Sequence, residues 1–328
     1  MKRRLSFARF LALARRRGTL ALCVALCALS LSATAHAQTI ITFNAPGAGT
    51  GTYQGTVPFG FNAEGAITGY YIDASGVGHG FLLAPNGTFT EFNVSGAGTG
   101  SGQGTFPLSI NDFGAIAGDY ADASNVSHGF LRTPNGAITT FDPTGSVDTY
   151  PDFFNGLNDL GAIPGYYYDA SDVTHGFLRA PNGTITTIND PSAGTGAFQG
   201  TTVGCINNFM VITGSYTDSS GVGHGFLLAP NGTITPFNVS GAGTGSGQGT
   251  FPSNINDLGA ITGDYLDASD VYHGFLRAPN GTITTFNAPG AGAGTYQGTL
   301  PISNNLEGAI TGYYVDSSGV YHSFLRTP

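Results

Sequence analysis

The sequence predicts an all-β fold in which one four-stranded antiparallel unit is repeated six times, and three observations carry that prediction. First, an Asp is followed six residues later by a His at Asp73 and His79, Asp122 and His128, Asp169 and His175, Asp218 and His224, Asp267 and His273, and Asp316 and His322. Successive histidines of this series lie 49, 47, 49, 49 and 49 residues apart. A unit of that length cannot bury an apolar face alone, so the copies must pack on one another, and the period is that of a propeller blade. Second, turn signals cut each copy into four short β-like runs. Third, the last copy stops after its third run, at Phe324 to Pro328, whereas Thr39 to Asn44 match the missing fourth run, Thr284 to Asn287. Joining the two ends in one sheet would remove an open edge and close a six-bladed β-propeller.

Copy five shows why each run is a strand. The first is expected near Pro252 to Asn256, turned by Asn256-Asp257-Leu258-Gly259. The second, Ala260 to Asp267, alternates Ile261, Gly263, Tyr265 and Asp267 on one face with Thr262, Asp264 and Leu266 on the other. The third, His273 to Ala278, follows the turn Asp267-Ala268-Ser269-Asp270, and the fourth, Thr282 to Phe286, follows Pro279-Asn280-Gly281. Pro presets φ in such turns, and Gly or Asn accepts the left-handed backbone. A glycine inside the second run marks a close approach, expected here from the neighbouring copy.

Residues 1–37 read as a secretory signal: seven basic residues, an apolar stretch from Leu20 to Leu31 and Ala35-His36-Ala37 as a cleavage pattern. That leaves 38–328 as the repeat domain and predicts export to the periplasm or the exterior, with no membrane insertion after cleavage. Beyond the signal remain Arg132, Arg179, Arg277 and Arg326 against twenty acidic residues, a formal charge of −16 (4 − 20). So acidic a chain is a poor partner for nucleic acid or an anionic membrane, and suits neutral glycans, cations or basic proteins. Cys205 is the one cysteine beyond the signal, which excludes a disulfide scaffold, and its place in Gly204-Cys205-Ile206 fits a buried strand.

Strands of alternating direction bring the connections after the fourth run and the turns after the second to one face. Those connections are the longest, rich in Gly, Ala, Ser and Thr, with a recurring Gln: Gln54, Gln103, Gln199, Gln248 and Gln297. Loops on a rigid scaffold concentrate binding residues, so these glutamines, with Tyr53 and Tyr296, are candidate ligand contacts; spacer loops are the plain alternative. The Asp and His pairs read as hydrogen bonds locking a hairpin, because a catalytic constellation needs a nucleophile or oxyanion donors as well. Asp169 with Asp172, and Asp267 with Asp270, offer the oxygen-rich turn that Ca²⁺ favours, but copies one, four and six carry Gly76, Gly221 and Gly319 there. Two function classes follow: a non-catalytic module binding a glycan or protein, or a polysaccharide hydrolase or lyase using Asp119, Asp122, Asp264 and Asp267. Copies three and four break the pattern, at Ser146 to Asp152 and at Asn208-Phe209-Met210-Val211, which fits either one special pocket there or plain drift in a tolerant repeat.

The run Ile-Asn-Asp-x-Gly-Ala-Ile-x-Gly-x-Tyr, followed by His-Gly-Phe-Leu and an Asn-Gly turn, resembles the bacterial extracellular repeat family named for its His-Ala-Phe motif. The resemblance spans about Ile40 to Pro328, with Gly80, Gly129, Gly176, Gly225 and Gly274, then Ser323, where the family has Ala. It implies an exported propeller and transfers no catalytic residue.

Overall fold

The computed structural model describes residues 41–151 and 156–328. The expected signal lies outside them, as do Thr39 and Ile40. Asn44–Pro328 form one compact unit.

Twenty-three strands and no helix occur among the described residues. Copies one to five each hold four strands, and copy six holds three. In copy five they are Gly249–Ile255, Ile261–Leu266, Tyr272–Arg277 and Ile283–Phe286, each antiparallel to the next. The first strand starts three residues earlier than its apolar pattern suggests, because Gly249 pairs with Leu266 and touches Gly223 of copy four in a single parallel bridge. A register shift sits between Pro252 and Asn254, and equivalent shifts follow Pro58, Pro107 and Pro301. Proline has no N–H for the ladder and is tolerated at such a bulge, but does not cause it, since copy four shifts register after Val203. Between copies two and three the parallel bridge is absent: Asp148 replaces the bridging glycine and accepts the Ser127 N–H at 2.8 Å. The strands therefore form one sheet of eight and another of fifteen.

Apolar burial follows the repeat. Phe81, Phe130, Phe177, Phe226 and Phe275, all on third strands, are fully buried, and Ile116, Ile163, Ile212, Ile261 and Ile310 lie beside them. The second-strand glycine is crowded from within its own copy rather than from the neighbour: a Cβ on Gly263 would stand 2.3 Å from Phe251 O and 2.9 Å from the Phe275 ring. The glycine after the His is crowded by its own copy and, at Gly80, Gly176, Gly225 and Gly274, also by the next one. A Cβ on Gly176 would stand 2.4 Å from Val203 Cγ2 of copy four.

Two further devices join neighbouring copies. Asn62, Asn111, Asn158, Asn207 and Asn256 each donate through Nδ2 to the carbonyl of the equivalent Asn one copy on, at 2.8 to 3.2 Å. Parallel to this ladder, Ala63, Asp112, Asp159 and Asn208 donate backbone N–H groups to Asp112, Asp159, Asn208 and Asp257. Together they surround a cavity of about 420 Å³ lined by residues of all six copies, from Phe61 to Glu307. The second device is a cation over a ring: Arg132, Arg179, Arg277 and Arg326 lie 4.9 to 5.1 Å from the rings of Phe92, Phe141, Phe237 and Phe286 of the preceding copy. Every arginine among the described residues is used this way.

The ends differ from the interior. Ile41 to Asn44 belong to no strand, and Ile41 is 81% exposed, so the strand expected at Thr39 to Asn44 is not formed over its described part. The chain turns at Pro46 instead, and the third strand of copy six, Tyr321–Arg326, pairs only with Ile310–Val315. Val57, Phe59 and Phe61 of copy one, and Tyr321 and Leu325 of copy six, are exposed.

Candidate binding face

The turn after each second strand is closed by its aspartate. Asp169 accepts the N–H groups of Ser171 and Val173 through Oδ1 and faces His175 Nε2 through Oδ2 at 3.1 Å. A carboxylate only accepts, so Nε2 carries the hydrogen. The same pair stands at 3.0 to 3.1 Å in copies three to six and is looser in copies one and two, at 3.4 and 3.7 Å. Each imidazole also stacks on the tyrosine across the strand, as His273 does on Tyr265 with centroids 4.9 Å apart. The His175 bond, then the Ser171 and Val173 amides, holds Asp169 below the usual carboxylate range; in Asp316 the Val320 amide leads, followed by His322. A depressed folded pKa adds stability that is present above the ordinary value near 3.8 and is lost as pH falls through the lower folded value. Acid titration followed by circular dichroism is thus expected to show the fold weakening below about pH 4, with Asp169→Asn making that loss shallower. A midpoint unchanged by Asp169→Asn would count against the lock.

The glutamines staple their own loops. Gln103 accepts the Gly100 N–H at 2.8 Å through Oε1 and donates through Nε2 to Ala123 O and Asn125 Oδ1. Gln54, Gln199 and Gln248 repeat the arrangement on Ala74 O, Ser219 O and Asp270 Oδ1, and Gln297 accepts the Gly294 N–H. The carboxylates read as a calcium turn have protein partners: Asp267 takes Ser269, Val271 and His273, and Asp270 takes Gln248. Among the described residues no three His, Cys, Asp or Glu side chains converge as a metal ion requires.

The residue before the Gln holds its backbone left-handed. It is Gly102 and Gly247 in copies two and five, where this conformation costs nothing, but Tyr53, Phe198 and Tyr296 in copies one, four and six, at φ of 61°, 61° and 58°. An L-residue is strained there by about 1–2 kcal/mol, yet the three rings are 96%, 73% and 61% exposed. Phe198 escapes a reading of the sequence that looks for tyrosines. The backbone N–H of Phe198 and Tyr296 clips to Asp172 O and Asp270 O of the preceding copy, at 2.8 and 2.6 Å, so these tips are held rigidly.

On the second strands, the position between the invariant Gly and Tyr changes chemistry from copy to copy: Tyr70, Asp119, Tyr166, Ser215, Asp264 and Tyr313, all half-buried. Asp264 is the centre of one cluster. Tyr272 lies 6.3 Å from Tyr296, and Tyr313 lies 5.5 Å from Tyr321, between ring centroids. Burial, and after it the charge of Asp264, raises the hydroxyls of both Tyr272 and Tyr313, with smaller contributions from the neighbouring tyrosines. Desolvation pushes the Asp264 carboxyl up to about 7. Asp119, also raised to about 7 by burial, has the counterpart position in copy two, coupled to Tyr70 and Tyr150. Tyr150, Tyr166 and Tyr168 form a second aromatic group there, with centroids 5.3 to 6.1 Å apart. Asp122 and Asp267, grouped with these two by sequence, serve instead in the turn locks.

No protein-family model matches this chain, and no curated protein resembles it in sequence. Solved structures do. A streptogramin B lyase is 12% identical with a TM-score of 0.46, over 83% of this chain and 84% of that one. A lectin of Aleuria aurantia in complex with Fucalpha1-6GlcNAc is 11% identical with a TM-score of 0.42, over 83% and 95%. A puromycin hydrolase is 11% identical with a TM-score of 0.53 over 83% of this chain, which spans only 43% of the hydrolase. At such identities the likeness concerns the fold alone: the chain is an all-β protein of repeated antiparallel units, four-stranded in copies one to five.

Proposed function

We propose that this chain is an exported, non-catalytic repeat protein that binds neutral glycans at the tyrosine cluster around Asp264. The observation that carries the reading is the pairing of Tyr272 with Tyr296 and of Tyr313 with Tyr321, at 6.3 and 5.5 Å between centroids, with Asp264 on the strand that pairs with that of Tyr272. Aromatic rings stack on the apolar faces of sugars while a carboxyl accepts their hydroxyls, the combination of apolar wall and few convergent polar groups that small-molecule sites use. The four arginines among the described residues all lie over phenylalanine rings, so they are already engaged and favour a neutral sugar over an anionic one. The Asp119 group would supply a second, weaker site and hence avidity. Export rests on the composition of residues 1–37 and on resemblance to the His-Ala-Phe repeat family.

The same reading includes ring closure, with residues 39–44 completing copy six. Its support is the exposed apolar surface at both ends, and the shared cavity that already includes Phe61 and Asn305. Isothermal titration of the purified protein with a panel of neutral oligosaccharides tests the function: saturable heat with at least one, reduced about tenfold or more by Tyr272→Ala, which corresponds to the ~1–3 kcal/mol of a stacking contact. A panel without heat, or a Tyr272→Ala protein binding as tightly, would overturn it.

A further inference from the structure

The boundary between copies three and four lacks the cation-over-ring contact of four other boundaries, and three changes converge there. The arginine position of the third strand is Leu228, the phenylalanine position of the preceding fourth strand is Ile188, and both are buried. Where the neighbouring turn has Gly65, Gly114, Gly161, Gly259 or Gly308 in left-handed conformation, copy four has Met210 at φ 60°. Removing a guanidinium and a benzyl ring without filling the space leaves a groove of about 450 Å³, lined among others by Leu178, Ile188, Met210, Ile212, Leu228 and Ile234. No charged side chain lines it. Thr186, Thr187 and Asn189 supply its polar rim, and Asn189 Oδ1 lies 3.1 Å from His175 Nδ1.

We infer that this groove is a binding site for a small, neutral, mainly apolar molecule carrying a single hydrogen-bond acceptor. Drift alone would be expected to replace the latch with side chains that restore packing, since interiors tolerate few voids larger than water. Here both members of the latch shrink together, and a strained backbone position is given a thioether, the side chain that adapts best to varied ligands. The volume is within the range of small-molecule pockets. Absence of charge disfavours ionic ligands, which would leave water for an apolar wall without a partner. The rim leaves the Asn189 amide nitrogen and the Thr186 hydroxyl as donors to one acceptor, the Thr187 hydroxyl lying 3.5 Å from that of Tyr167. This site is separate from the tyrosine cluster and stands or falls independently of it.

The test uses Prodan, a neutral naphthyl ketone whose emission shifts to the blue in apolar surroundings. Titration into the purified protein is expected to show one saturable site. The variant Ile188→Phe/Leu228→Arg rebuilds the latch found at four other boundaries, so it is expected to fold and to bind Prodan at least tenfold more weakly. Ile188→Phe alone, which fills part of the groove and adds no charge, is expected to weaken binding in the same direction and serves if the double variant fails to fold. Unsaturable emission in the unaltered protein, or an affinity unchanged by Ile188→Phe and by the double variant, would overturn the inference.

Discussion

At pH 8, Asp264→Asn is expected to raise the free energy of unfolding by about 2–4 kcal/mol, and near pH 4 to leave it almost unchanged. The carboxyl titrates at about 7 in the fold against 3.8 ordinarily, so the native state binds the proton more tightly than the unfolded chain. That contribution is fully present below the unfolded value and is lost as pH rises through about 7. A shift of some three pKa units sets a ceiling of roughly 4 kcal/mol, and partial exposure lowers it. Asparagine has the size of the protonated acid and cannot ionise, so it removes the alkaline penalty alone. Urea denaturation at the two pH values checks this. Equal effects at both would show that desolvation is not what raises the group. The functional point lies in the comparison between copies, since Ser215 and three tyrosines occupy the same register without such a cost. A carboxyl kept where it destabilises is a candidate for use.

Phe177→Ala is expected to cost about 3–5 kcal/mol, the loss of a fully buried aromatic ring plus the cavity it leaves. Phe177 is 0% exposed and meets Phe141 edge to face at 6.0 Å. Phe324, the equivalent residue of copy six, is half-buried. Ring closure would cover it, and Phe324→Ala would then cost about as much as Phe177→Ala. An open edge predicts roughly half or less, in proportion to the area removed from water. Measuring both variants by chemical denaturation therefore separates the core argument, which rests on Phe177, from closure, which rests on Phe324.

Much of the fold was legible in the sequence because it is written in short-range signals. Pro-Asn-Gly and Asp-x-Ser turns, period-two alternation and the Asp to His spacing all act within a dozen residues, and the four strands per copy follow from them. Tyr53 and Tyr296 were legible as exposed loop residues, although not the backbone strain that holds them. What escaped depends on neighbours one copy away. The contact of Arg132 with Phe92, and the bond from Asn62 to Asn111, join residues forty or more positions apart, and no local pattern announces them. The recurring Gln was read as a ligand contact because a polar residue in a Gly-rich loop stands out; the amide is used by the loop itself. Asp119 and Asp264 were singled out as carboxylates, but a raised pKa is a property of burial, which spacing does not encode. The irregular Asn208 to Val211 turn is visible in the sequence, while Ile188 and Leu228, which line the same groove as Met210, pass for ordinary strand residues.

The location of the glycan site is tested most directly by hydroxyl-radical footprinting with mass-spectrometric readout, with and without a saturating neutral oligosaccharide from the titration panel. The account predicts that oxidation of Tyr296 and Tyr321 falls when the sugar is bound, while that of the distant exposed Phe113 does not change. Protection confined to other residues, with Tyr296 and Tyr321 oxidised as before, would contradict it.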